Sequence, residues 1–145
     1  GIPDYRDLKG QWKRPQPVTF QAFMGSEHTR QRYWARSLVG WRTFGQARPG
    51  AAHHVLADLE HAGWIDLLVT QNVDGFHLMA CSRDVIEMHG TLRRLRCVDC
   101  GRSRQVDNYA GLTIPPECPY CGGTLRPDVV LFGESLPDPA VHPRQ

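Results

Sequence analysis

The spacing of apolar and polar positions along the chain predicts helices followed by short strands. Residues 51–62 carry a helical pattern that ends before Gly63, a residue suited to the position after a helix. Its apolar face consists of Ala52, Val55, Leu56, Leu59 and Ala62. Residues 64–69 form an apolar run with little alternation, which predicts a strand buried on both faces of a parallel sheet. Residues 85–88 predict a second strand, so the order is typical of a βαβ fold.

A helical segment precedes this unit. Residues 1–19 contain several prolines and predict a loop, after which Phe20, Phe23 and Met24 cluster at helical spacing. Thr29 is a candidate N-cap for a second helix, whose large apolar residues are expected in the core. They are Tyr33, Trp34, Leu38 and Trp41. Gly45 and the Pro49-Gly50 pair end the segment.

Polar side chains follow both predicted strands. The sequence Thr-Gln-Asn-Val-Asp-Gly-Phe-His occupies residues 70–77, and His89-Gly90 follows the second strand. Ligands of open α/β sheets bind at the carboxyl ends of strands, so this cluster predicts an active site. The alternative is a polar loop with surface histidines. His53, His54 and His61 are expected to be surface or packing residues, because no metal-site pattern surrounds them.

Four cysteines predict a metal site in residues 92–125. Cys97 and Cys100 form one Cys-x-x-Cys pair, and Cys118 and Cys121 form another at the usual separation for structural zinc. A rubredoxin-like iron site is the alternative. Four thiolates leave no open position, so the metal is expected to hold structure and not to catalyse. Paired cysteines also indicate a reducing compartment.

The segments around the cysteines carry further expectations. Residues 92–104 hold five arginines and few large apolar residues, which favours a solvated face over a nucleic-acid surface. Cys81 is expected to be a small buried hydrophobe. Residues 126–134 predict a strand that returns to the parallel sheet, and the last residues predict a loop.

Composition changes this picture little. The 145 residues are 41% hydrophobic and 22% charged, as in one ordinary globular domain, and no apolar run is long enough to span a bilayer. A net charge of +2 gives no reason to expect a nucleic-acid or membrane partner.

Taken together in order, the motifs resemble the sirtuins, which are NAD-dependent protein deacylases. They are Gly-Ile-Pro-Asp-Tyr-Arg at 1–6, the polar loop at 70–77, His89-Gly90, the two cysteine pairs, and the stretch from Arg-Pro-Asp-Val-Val at 126–130 to Phe-Gly-Glu at 132–134. Residues 31–36 and 39–41 look like the class II branch. Tyr5, Val73 and Phe76 depart from the commoner Phe, Ile and Leu.

The resemblance implies a role for each matching residue. His89 would be the general base, with Asn72 and Asp74 also in the catalytic centre. Gln71 and Asn72 would position the ribose of NAD, and Val73 and Asp74 would hold the nicotinamide carboxamide. The remaining cofactor contacts would come from Pro3, Asp4, Tyr5 and Arg6. The substrate backbone would pair edge-on with the segment containing Val130, Phe132, Gly133 and Glu134, with Phe132 lining the acyl-lysine channel.

The resemblance also implies an architecture and partners. We expect an α/β fold with a partial Rossmann-like parallel sheet over residues 1–91 and 126–145, an inserted helical segment at 15–50 and a small zinc-ribbon module at 92–125. The reaction would consume NAD, release nicotinamide from it and form O-acyl-ADP-ribose from acylated-lysine proteins or peptides. The expected location is the bacterial cytoplasm, with the mitochondrial matrix as the alternative.

Two other functions remain open. Mono-ADP-ribosyl transfer would use the same site, and a zinc-ribbon binding module would need no catalysis. The sequence contains neither the Gly-Ala-Gly-Ile-Ser loop with which sirtuins bind the pyrophosphate nor their final strands. This chain alone is therefore expected to be inactive and to bind NAD weakly.

Overall fold

The fold contains a parallel strand pair and an antiparallel sheet. The computed structural model describes residues 7–11 and 16–136. The elements are α1 (Phe20–Gly25), α2 (Glu27–Phe44), α3 (Ala51–His61), β1 (Leu68–Thr70), α4 (Phe76–Met79), β2 (Val85–Glu87), β3 (Gly90–Cys97), β4 (Ser103–Gln105) and β5 (Leu125–Val129). β1 and β2 pair in parallel, while β3 lies between β4 and β5 in an antiparallel sheet. The expected α/β architecture with a parallel sheet is thus confirmed.

The helix predictions are confirmed in position, with one wrong cap. α3 covers all but the last residue of the predicted helix, and Gly63 adopts the expected left-handed conformation at φ +78°. α2 begins after Ser26, not at Thr29. Ser26 has the extended backbone that an N-cap needs, and its hydroxyl accepts a hydrogen bond from the Thr29 amide at 3.3 Å. Thr29 therefore lies inside the first turn.

The first strand is shorter and less buried than predicted. β1 starts at Leu68, where the Leu68 amide donates to the Asp84 carbonyl at 2.9 Å. Trp64 is 81% exposed and Val69 is 53% exposed, so burial on both faces is wrong for the described residues. The physical reason is that β2 is the one strand paired with β1 in the described part of the chain. A strand is buried on both faces only where other elements cover it, and its own apolar composition does not provide them.

The main core joins α2 to the antiparallel sheet. Trp34 and Leu95 are fully buried, Tyr109 is 1% exposed, and the ring of Tyr109 stacks on Trp41 at 4.2 Å between centroids. Residues 92–104, expected to be poor in apolar contacts, contribute Leu95 and Cys97 to this core. The helical segment and the cysteine-bearing segment therefore share one apolar interior.

The expected solvated arginine face is wrong at its centre. Arg94 pairs with the buried Asp128 at 2.5 Å, and Arg96 pairs with the same carboxylate at 2.9 Å. The Arg94 side chain is 16% exposed. Arg94 turns inward because β5 presents an acidic side chain beside it, whereas the side chain of Arg96 stays 48% exposed. The sequence of β3 alone cannot reveal this acidic partner.

Two further predictions are wrong. Residues 126–134 do not return to the parallel pair, because β5 ends at Val129 and pairs antiparallel with β3 from Gly90 to Cys97. Cys81 is exposed and not buried, since it follows the end of α4 in the left-handed region at φ +75°. The predicted domain boundaries stay a prediction. Within the described ranges, no helix is both long and apolar enough to cross a membrane.

Candidate active site and metal centre

The carboxyl ends of β1 and β2 meet as predicted. The parallel register pairs Thr70 with Glu87, and the Met88 amide donates to the Thr70 carbonyl at 2.9 Å. One step further along the chain, Nδ1 of His89 lies 3.1 Å from the carbonyl oxygen of Gln71. The half-buried His89 is thereby tied to the second residue of the polar loop.

The polar loop is held by hydrogen bonds at each of its residues. The hydroxyl of Thr70 accepts from the Asn72 amide at 3.1 Å, and the Asp74 carboxylate accepts from the Phe76 amide at 2.9 Å, at the start of α4. The carbonyl of Val73 accepts from the Leu92 amide at 2.9 Å. Gln71 and Asn72 leave their side chains exposed, whereas Val73 packs against the core. Two amide side chains thus face solvent beside His89.

Gly90, the residue after His89, brings the backbone close to β5. Its φ is +75°, and a Cβ built there would stand 2.0 Å from the carbonyl oxygen of Asp128. The backbone of β3 can approach β5 this closely because position 90 has no side chain. Beyond this contact, the Val130 amide donates to the His89 carbonyl at 2.9 Å, which connects the site to residues 130–134.

Residues 130–134 form a braced turn. The Glu134 carboxylate pairs with Arg126 at 2.8 Å and accepts from the Leu131 amide at 2.9 Å. The Phe132 carbonyl accepts from the Phe20 amide at 2.9 Å. The carbonyl of Gly133 accepts from the Gln21 side chain at 3.1 Å, and the Phe132 side chain is 52% exposed. Glu134 therefore shapes this turn through both carboxylate oxygens.

Two titratable groups with shifted pKa values lie in and beside the polar loop. Burial raises the pKa of Glu87 to about 7, and the nearby Asp74 acts in the same direction while Arg94 opposes it. Burial also lowers the pKa of His77, and the neighbouring His53, whose ring lies 4.8 Å away, adds to that effect. One oxygen of Glu87 and Nδ1 of His77 are buried without a described partner. These two atoms are thus shielded from solvent, whereas Gln71 and Asn72 in the same region are exposed.

The four cysteines are positioned for a structural zinc. All four Sγ atoms lie within 4.8 Å of one another, with Cys97 and Cys121 at 3.6 Å and Cys100 and Cys118 at 3.8 Å. A tetrahedron with Zn–S bonds of about 2.3 Å has edges of about 3.8 Å, so the geometry fits the ion. Asp99 joins the two cysteine loops by accepting from the Thr124 amide at 2.7 Å.

Part of the expected site can be placed and part cannot. The structure brings together residues 71–74, His89 and residues 130–134, whereas Pro3, Asp4, Tyr5 and Arg6 lie outside the described residues. Sequence reasoning missed Glu87, Leu92 and Arg93. Glu87 carried a signal, because the alternation of a strand places it on the same face as the apolar Val85. Leu92 and Arg93 carried none, because their contacts depend on a local irregularity in β3.

Comparison with known proteins decides the family. Residues 1–143 match the family model described as Sir2. The chain belongs to the Sir2 family. An NAD-dependent protein deacetylase of Xanthomonas campestris pv. campestris (strain 8004) is 51% identical over 167 aligned residues, which cover 94% of this chain and 57% of that protein. One from Bordetella pertussis is 48% identical and is covered to 61%. The chain thus spans a little more than half the length of these Sir2 relatives.

Solved structures agree with this assignment. A Sir2 homologue in complex with NAD is 38% identical with a TM-score of 0.78, and the match covers 94% of this chain and 53% of that one. A Sir2 complex with a p53 peptide and NAD⁺ is 33% identical with a TM-score of 0.76, covering 94% and 55%. The fold described above is therefore that of part of a Sir2 protein.

Proposed function

We propose that the protein containing this chain is an NAD-dependent protein-lysine deacylase in which His89 is the general base. The observation that carries the proposal is the contact between His89 and the carbonyl of Gln71 at the joined ends of β1 and β2. Membership of the Sir2 family and relatives named NAD-dependent protein deacetylases support it. A zinc-ribbon binding module would have no use for this arrangement.

The hydrogen bond to Gln71 selects the tautomer of His89. A carbonyl oxygen can only accept, so the Nδ1 atom at 3.1 Å carries the proton and donates it. The lone pair is then on Nε2, where it can take a proton from a substrate hydroxyl. NAD would supply an ADP-ribosyl group that accepts the acyl group: its bond to nicotinamide breaks, the acyl C–N bond to the lysine breaks, and one water is consumed as free lysine and O-acyl-ADP-ribose form. His89 would remove the ribose hydroxyl proton and so allow that transfer.

The polar loop supplies groups suited to binding the cofactor. Gln71 and Asn72 carry exposed amide side chains beside His89, which suits hydrogen bonding to ribose hydroxyls. Val73 and Asp74 follow in a backbone whose carbonyls are already fixed by Leu92 and Arg93. We assign this fixed pair to the nicotinamide carboxamide, and Asp74 and Asn72 with His89 to the catalytic centre. Pro3, Asp4, Tyr5 and Arg6 are further cofactor contacts of the proposal.

The substrate is proposed to be an acylated-lysine peptide bound along residues 130–134. The exposed ring of Phe132 suits an aliphatic lysine stem. Because the Phe132 carbonyl bonds to Phe20 and the Gly133 carbonyl to Gln21, a substrate strand must pair with the opposite edge of this turn. Val130 links that edge to His89 through its amide.

The cytoplasm is the proposed location. The four clustered cysteines are arranged as metal ligands, and thiols in this arrangement persist in reducing compartments.

The test compares His89→Ala with His54→Ala in the full-length zinc-loaded protein. His54 is exposed on α3, which makes it a matched control. NAD-dependent nicotinamide release with an acetylated peptide should fall about 100- to 10,000-fold in the His89 variant, as for loss of a general base, and should stay at the wild-type rate in the control.

Zinc content should be the same in all three proteins, because His89 lies outside the cysteine cluster. A His89→Ala protein with near wild-type turnover would remove this residue from the mechanism. Mass spectrometry of the products separates the two chemistries of this site: acyl-ADP-ribose supports deacylation, and ADP-ribosylated protein in its place contradicts it.

A further inference from the structure

An irregularity in β3 faces the polar loop. Thr91 pairs with Asp128 and Leu95 pairs with Pro127, so residues 92–94 stand between two successive partners on β5. This is a β-bulge, a feature that bends a strand and redirects its side chains, often beside a functional site. The bulge turns Leu92 and Arg93 away from the regular ladder.

The bulge bonds to both central carbonyls of the loop. The Leu92 amide donates to the Val73 carbonyl at 2.9 Å, and Nε of Arg93 donates to the Asp74 carbonyl at 3.0 Å. The stem of Arg93 also touches the loop, because a Cβ built on Gly75 would stand 3.0 Å from Cδ of Arg93. One side chain therefore fixes the direction of a peptide group and fills the space beneath the next residue.

Arg93 is held in place from its other side by aromatic rings. Its guanidinium carbon lies 5.9 Å from the ring centroids of both Trp41 and Phe44 on α2. Such contacts stabilise a cation at low polarity. Its Nη2 atom is buried without a partner among the described residues.

The bulge is also anchored to the cysteine-bearing segment. The hydroxyl of Tyr109 donates to the Leu92 carbonyl at 2.7 Å, and its ring stacks on Trp41. The amide of Val106 donates to the Arg93 carbonyl at 2.8 Å. The loop is thus connected through Arg93 to α2 and through Leu92 to residues 106–109.

We propose that Arg93 is a positioning residue that holds the backbone of Val73 and Asp74 in the orientation required to receive nicotinamide. This role rests on the proposed function, because it acts through the loop assigned there to the cofactor. Arg93 itself does not touch the reacting atoms. Its guanidinium orients the Asp74 peptide group, and its aliphatic stem occupies the space between Gly75 and β3.

The experiment uses three variants of the full-length zinc-loaded protein. Arg93→Met keeps an apolar stem but removes the donor and the charge, Arg93→Lys keeps a charged donor, and Arg104→Ala removes an exposed arginine of β4 as the control. Amide hydrogen exchange is followed at Leu92 and Phe76, whose amides bond to the loop, and at residues 125–129 of β5.

In Arg93→Met, exchange at Leu92 and Phe76 should quicken about tenfold while residues 125–129 keep wild-type protection, as for loss of one charged hydrogen-bond donor. The kcat/KM for NAD should fall about tenfold, with kcat/KM for the acetylated peptide at saturating NAD changed less than twofold. Arg93→Lys should recover most of both losses, and Arg104→Ala should match wild type.

Unchanged exchange at Leu92 and Phe76 would overturn the positioning role. Equal loss of protection at residues 125–129 would also overturn it, because Arg93 would then support the whole sheet. A wild-type protein that releases no nicotinamide would count against the proposed function, while the exchange comparison would still decide whether Arg93 holds the loop.

Discussion

Replacing Glu87 with glutamine should remove a loss of stability that the wild-type protein suffers as the pH rises. Glu87 is 9% exposed at the end of β2, and one of its oxygens is buried without a described partner. Burial is the largest cause of its raised pKa, and Asp74 adds to it. The folded protein therefore favours the protonated carboxyl, whereas the unfolded chain ionises near the ordinary value.

The sign and size follow from proton linkage. Because the folded pKa of about 7 exceeds the ordinary value of 4.5, the folded state binds more protons between these limits. The stability that the protonated Glu87 contributes to the folded protein is fully present below pH 4.5, and it is lost as the pH rises through the folded pKa of about 7. Each pKa unit corresponds to about 1.36 kcal/mol, which gives about 3 kcal/mol for the whole shift. Screening by nearby solvent reduces this to on the order of 2 kcal/mol.

Urea unfolding of the zinc-loaded full-length protein at pH 5.5, 7 and 8.5 measures the effect. The free energy of unfolding of Glu87→Gln relative to wild type should increase by on the order of 1 kcal/mol between the lowest and highest pH, because the part of the loss between pH 4.5 and 5.5 has already occurred at the lowest pH. Any pH dependence of zinc binding is common to both proteins and cancels in the difference. Gln105→Ala, at an exposed position of β4, changes no ionisable group and should therefore show a difference that is flat with pH. A flat or falling difference for Glu87→Gln would refute the reasoning.

Two other predictions concern the metal and the close approach of β3 to β5. Cys97→Ser should lower zinc content and speed amide exchange over residues 92–125, because structural zinc contributes directly to folding. The control Cys81→Ser should keep the wild-type zinc stoichiometry. Elemental analysis that finds iron in place of zinc would contradict this prediction. Gly90→Ala should lower the free energy of unfolding by about 3 kcal/mol or more, because its Cβ meets a backbone carbonyl. Gly63→Ala has open space around its Cβ, so it should lower the free energy of unfolding only by the ~1–2 kcal/mol that a side chain costs in the left-handed conformation. Thermal unfolding that ranks the two glycine variants equally would contradict the clash.

The features that sequence reasoning placed correctly are those set by neighbours along the chain. The helix before Gly63 follows from a repeating apolar face and a C-terminal glycine, and each cysteine loop follows from two thiols at fixed spacing. The meeting of Gln71 and His89 needed one more assumption, namely that two apolar runs pair in parallel. Consecutive strands joined by a helix usually lie next to each other in a parallel sheet, which makes that the ordinary outcome.

The features that sequence reasoning misplaced are set by distant partners. Arg94 reads as a surface cation until Asp128 is brought beside it by β5. Residues 126–129 read equally well as a strand of either sheet, and their pairing with β3 is decided by contacts such as Gly90 against Asp128. Cys81 is apolar enough for a core, but the end of α4 places it in an exposed left-handed turn.

A metal site with no open ligand position can still affect chemistry at the proposed active site, because one strand joins the two. β3 begins at Gly90, next to His89, and ends at Cys97, a member of the cysteine cluster. Between these ends, the bulge bonds to the loop through Leu92 and Arg93. Binding of structural zinc is itself folding free energy, so removal of the ion destabilises the end of β3 first. The loop would then lose its partners on the bulge while β1 and β2 stay paired, and nicotinamide binding should weaken without any change in the His89 side chain.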